Sequence, residues 1–138
     1  MTMRLSDPVK LWNLDEYIPS AGEDRVDLRY CGRDLYVDVW CNNEDGNGEF
    51  QVVGLHFIDV SYFIKGLVPG VSIFGSDTPI DASLLGHLIE YKWSELVRIG
   101  ERESLRRGDR HFRFFLHSVG ISVDAIAKDV HMLDLRQH

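Results

Sequence analysis

Two cysteines and four prolines are all this chain holds of either residue. Cys31 falls beside the turn and Cys41 at the open end of a hairpin read below, roughly 23 Å apart at about 3.3 Å per residue. A disulfide tolerates about 7 Å between Cα atoms, so no bridge is expected, in keeping with a reducing compartment. No run approaches the roughly 18 apolar residues that span a bilayer, and the opening residues 1–8 lack the apolar core of a secretory signal. A cytoplasmic protein without a membrane partner is the expectation. Phosphate-loop and metal signatures are missing too. Gly46-Asn-Gly48 has neither the third glycine nor a strand-to-helix setting. The turn cluster at 42–48 lacks the twelve-residue spacing of a calcium loop. His56, His87, His111, His117, His131 and His138 form no His-x-His or His-Glu-x-x-His, and the cysteines no Cys-x-x-Cys. No cofactor and no metal site are expected.

A chain of 138 residues is long enough for one well-filled core, so residues 1–138 are read as a single domain. Its net charge is −7, and residues 1–60 account for it with 12 acids against 5 bases. An acidic half repels nucleic acid, which needs a positive stripe. It speeds encounter with a basic protein, or serves solubility alone.

The clearest local pattern is a hairpin over residues 24–41. Gly32-Arg33 forms a two-residue loop whose leading glycine fits a type II′ turn. That loop pairs Tyr30 with Leu35, Leu28 with Val37 and Val26 with Val39 on one apolar face. The other face pairs Asp27 with Asp38, Arg29 with Tyr36 and Arg25 with Trp40. Opposed carboxylates destabilise a sheet. Arg25 and Arg29 beside Asp27 are read as neutralising them, with Arg25 over Trp40 as a cation–π contact; a shared proton or a divalent ion is the other reading.

Elsewhere the pattern is coarser. Residues 1–23 suggest only a short strand or turn anchored by Trp12, Leu14, Tyr17 and Ile18. Residues 49–64 read as one long strand, with His56 in an apolar phase as a hydrogen-bonded core residue. Residues 81–107 read as a strand near 86–92 and a helix over 94–106, with one continuous helix as the competitor. A second hairpin with Val119-Gly120 as its loop pairs Leu116 with Val123, Phe114 with Ala125 and Phe112 with Ala127. The fold class is therefore α+β: a predominantly antiparallel sheet, half-open barrel or sandwich, with one or two helices in 81–107.

That second hairpin sets His117 opposite Ser122, with Asp124 next along the face. These are the residue types of a nucleophile, a base and an orienting carboxylate. No Gly-x-Ser-x-Gly elbow accompanies them, and a polar outer face near a turn explains them equally. Arg102, Arg106, Arg107, Arg110 and Arg113 form the one basic cluster, read as a solvated, charge-mixed helix end because acids interleave it and no aromatic platform accompanies it.

The run at 111–118, followed by Ile126-Ala127, and the segment at 89–96 resemble small bacterial proteins of mostly unknown function. In those proteins an amphipathic strand ending His-Asp-Ser leads into a strand ending Ile-Ala; here Ser118 follows His117 directly. Some proteins of this look are immunity proteins, and the resemblance implies binding to a toxin. It covers about the last fifty residues and carries no active-site residues with it. The chain is thus read as a non-enzymatic, acidic protein-binding module of the immunity type. It would occlude a basic site, such as a toxin's, with Asp27, Tyr36, Asp38, Trp40, Glu44 and Asp45. The alternatives are an enzyme or small-ligand binder with a pocket between sheet and helix, and a structural homo-oligomer.

Overall fold

Alternation in the first hairpin becomes β2 (Glu23–Cys31) and β3 (Asp34–Asn42), and every pair expected above is present. Gly32 takes φ 64 while Arg33 does not enter the positive region, as a type II′ turn requires of its two central residues. Neither cysteine is in a disulfide, with Cys31 exposed and Cys41 buried. The computed structural model describes residues 2–14, 23–42, 50–67, 73–76, 86–116 and 120–135.

β4 (Phe50–Ile58) and β10 (Asp129–Leu135) extend the hairpin into a four-stranded antiparallel sheet ordered β10-β4-β3-β2. Six further strands form the second sheet: β1 (Met3–Asn13), β5 (Tyr62–Leu67), β6 (Phe74–Ser76), β7 (His87–Ser94), β8 (Arg110–Leu116) and β9 (Ile121–Ala127). Its order is β5-β9-β8-β7-β1-β6, and it curls as a half-barrel. It is a mixed sheet, because β6 runs parallel to β1. The expected α+β class holds with this amendment. One helix, α1 (Glu95–Glu103), is present among the described residues, directly after a strand; a continuous helix across this region is thereby excluded. Ser94 caps α1 by accepting from Val97 N–H, and Glu95 in the first turn and Arg102 in the last suit the helix dipole.

Three expectations need correction. The weakly patterned N-terminus contains an eleven-residue strand, β1. Of β1's residues only Leu5 is fully buried, and Asp7 takes φ 55, so no clean alternation marks it. Residues 49–64 are not one strand. Asp59, at φ 54, turns the chain out of the four-stranded sheet, and Val60 N–H bonds to Arg33 O while Ser61 N–H bonds to Ile126 O of the other sheet. The second hairpin is slipped by two: Leu116 faces Ile121, Phe114 faces Val123 and Phe112 faces Ala125. The apolar face survives, because a two-residue slip preserves the side-chain period. What changes is the outer face, where Arg113 now stands opposite Asp124, opposite charges instead of Asp124 beside Phe115.

The main core lies between the sheets. Leu35, Val37, Val39, Leu55 and Phe57 from the four-stranded sheet meet Phe112, Phe114, Val123 and Ala125 from the other. Phe57 packs on Phe112 at 5.9 Å and on Phe114 at 6.1 Å between ring centroids. A smaller cluster of Leu5, Phe74, Ile89 and Tyr91, with Leu96 of α1 against it, covers the far side of the six-stranded sheet.

Candidate functional site

Two surfaces gather chemistry. The first is the outer face of the four-stranded sheet, produced by the alternation that buries the opposite face. Asp27, Tyr36, Asp38 and Trp40 come together there; Glu44 and Asp45 lie outside the described residues. Arg25 bonds Asp27 and Arg29 bonds Asp38, both at 3.2 Å, and Trp40 Nε1–H donates to Asp27 at 3.0 Å. Arg25 covers the Trp40 ring at 4.4 Å. The opposed carboxylates are neutralised as expected, one arginine to each, so the face is charge-balanced rather than plainly acidic.

Across the same face runs a row of planar groups. Arg29 faces Tyr36, Tyr36 faces His56 and His56 faces His131 across all four strands. Arg29 sits 5.1 Å over Tyr36, Tyr36 stacks on His56 at 4.3 Å and 12°, and His131 lies 6.4 Å beyond. His56 is hydrogen-bonded, to Asp34 at 2.9 Å, but it is not in the core: its side chain is 20 % exposed on this outer face. The core phase of β4 is the odd one, with Val53, Leu55 and Phe57 buried.

The second surface is the far side of the six-stranded sheet, where a buried polar chain was not anticipated. His111, fully buried, bonds Asp124 Oδ1 through Nε2 at 2.7 Å and Ser94 Oγ through Nδ1 at 2.8 Å. Arg113 Nε–H donates to the same Oδ1 at 2.8 Å, and its NH1 donates to Tyr91 OH at 3.0 Å. An ionised carboxylate only accepts, so Nε2 carries the ring proton; a neutral ring then accepts the Ser94 hydroxyl proton at Nδ1. Burial pushes the Tyr91 hydroxyl above its ordinary pKa, outweighing Arg113.

Asp124 therefore belongs to a serine–histidine–aspartate set, with different partners from those expected. Ser122 faces Phe115 and Gly66, and His117 lies outside the described residues. The missed residues are Ser94, His111, Arg113 and Tyr91. Their signal was the register: with Arg113 opposite Asp124, His111 shares that face, whereas the two-residue loop separates them. The arginine cluster is also more tightly engaged than a solvated helix end. Arg106 grips Asp109 with two bonds and Arg110 grips Glu90 with two, while Arg113 is buried.

Compared with protein-family models, curated proteins and solved structures, the chain matches none. Among the described residues no three His, Cys, Asp or Glu side chains gather as metal ligands do, and no helix is long and apolar enough to cross a membrane.

The carboxylates give the fold an acid limit. The Arg110 fork holds buried Glu90 below its ordinary value of 4.5. Burial pushes Asp109 up, but Arg106 and Lys128 more than offset it, and the Asp59 N–H with His56 lowers Asp34. Groups depressed in the folded state bind protons first in the unfolded chain. Their stabilisation is complete above their unfolded pKa and is lost as pH falls through the folded one. The urea midpoint should drop steadily below about pH 4.5, and Glu90→Gln should flatten that limb. An unchanged slope in the variant would remove Glu90 from this role.

Proposed function

We propose that the protein is a binding module of the immunity type, working in the cytoplasm, that covers a basic site on a protein partner with the outer face of its four-stranded sheet. The observation that carries this reading is the row of Arg29, Tyr36, His56 and His131, flanked by Arg25 over Trp40. Tyr, Trp and Arg are the side chains that dominate binding hot spots: Tyr and Trp bring large contact area with few rotors, and Arg brings a planar fork of donors. The sheet holds them rigid, so little side-chain entropy is lost on docking. The excess of acids in residues 1–60 supplies the long-range attraction, which steers encounter more than it fixes affinity.

The test is calorimetric binding to the product of the adjacent gene at low and high salt. Tyr36→Ala and Trp40→Ala should each weaken binding by roughly 30-fold or more, the effect of a central hot spot. Asp27→Lys with Asp38→Lys puts four cations together, and should reduce affinity most at low salt. If affinity and salt dependence both survive that double substitution, this face is not the contact surface.

A further inference from the structure

We propose that Ser94, His111 and Asp124 form an acyl-transfer site acting on esters of short acyl groups, an activity separate from the binding face on the opposite sheet. The hydrogen bonds run in order, carboxylate to Nε2 and Nδ1 to hydroxyl, at 2.7 and 2.8 Å. Asp124 is the positioning residue. Its ionised oxygen, held also by Arg113, fixes the proton on Nε2 and so leaves the Nδ1 lone pair for Ser94. This is the division of labour of serine hydrolases, with the two ring nitrogens exchanged. Either nitrogen of an imidazole can be the acceptor when the other carries the proton.

Ser94 stands where a strand passes directly into a helix, β7 into α1. The first turn of a helix has amide N–H groups with no intrahelical acceptor, the donors that a developing oxyanion requires. One of them, Val97 N–H, donates to Ser94 Oγ itself at 3.4 Å and so fixes that oxygen at the helix start.

Ser94 and His111 also line a pocket between β7, β8 and α1, with a volume of about 100 Å³. A cavity of about 150 Å³ holds benzene, so the room beside Ser94, lined mainly by polar and charged side chains, matches a short acyl group such as acetyl. The charged side chains around it are already in ion pairs: Arg110 and Lys92 with Glu90, Arg98 with Glu101, and Asp109 with Arg106. Among the described residues no charge is left unpaired there to hold an ionic substrate, which selects a neutral ester.

In the reaction, Nδ1 takes the Ser94 proton as Oγ bonds to the carbonyl carbon. The ester C–O bond then breaks, and the departing alkoxide leaves as an alcohol with the proton from Nδ1. Water attacks the acyl-serine in the same way, giving its proton to Nδ1. The Oγ–carbon bond breaks, Ser94 regains its proton and the carboxylic acid leaves.

The experiment treats the full chain with diisopropyl fluorophosphate, a small serine-directed reagent, and locates the adduct by peptide mass. The same chain is assayed on p-nitrophenyl acetate and p-nitrophenyl octanoate. The result expected is one adduct, on Ser94, and hydrolysis of acetate over octanoate, with acetate turnover reduced about 100-fold or more in His111→Gln. Ser94→Asn retains an N-cap acceptor, and should keep the circular dichroism spectrum and melting temperature near those of the native chain while losing adduct and turnover. A folded native chain that takes no adduct at Ser94, or acetate turnover unchanged in Ser94→Asn, overturns the proposal.

Discussion

Alanine at Asp124 should reduce unfolding free energy by about 3–5 kcal/mol, the cost of breaking a buried charge pair from one side. Two side chains lose their acceptor together: Arg113 Nε–H and the His111 ring both rest on Asp124 Oδ1. Neither can turn to water, since His111 is fully buried and Arg113 nearly so. Asp27→Ala is the matched control. Asp27 is equally an arginine partner, but its side chain is 42 % exposed, and exposed pairs contribute about 1 kcal/mol or less. Urea titrations of both variants decide the matter. Equal losses would mean that the Asp124 cluster is wet and the buried relay is not as described.

Phe57→Ala should cost a comparable amount, about 3–5 kcal/mol, from lost burial and the cavity left behind. Phe57 is fully buried in β4, and its ring packs on Phe112 and Phe114 of β8. It therefore joins the two sheets, and its loss should weaken them as one cooperative unit. Calorimetry should show a lower melting temperature with a single transition. Two separated transitions would show that the sheets unfold independently and that this contact does not unite them.

The first hairpin was legible to the residue because two independent constraints agreed. Gly32 in a two-residue loop set the register, and the alternation from Val26 to Val39 set the faces. At the second hairpin only the alternation operated. Phe112, Phe114 and Leu116 face inward whether the loop is two residues or four, and so the partner of Asp124 stayed hidden. That single ambiguity concealed the contact with Arg113 and, through it, the place of His111 and Ser94. The break at Asp59 was invisible for a related reason: apolar residues on both sides of it keep the same phase although the chain has changed sheets. β1 gave little signal because its side chains are mostly half-covered, with Leu5 alone fully buried among them. The pairing of Asp27 and Asp38 with arginines, by contrast, followed from opposed like charges needing compensation, and the geometry bears this out.

The relay rests on His111 donating from Nε2 to Asp124 and accepting at Nδ1 from Ser94. Nitrogen-15 NMR of the imidazole rings reads this directly, since protonated and bare ring nitrogens resonate far apart. At neutral pH the His111 ring should show a proton on Nε2 and a bare Nδ1 shifted by a hydrogen bond received from Ser94. A proton found on Nδ1, alone or with one on Nε2, would contradict the account.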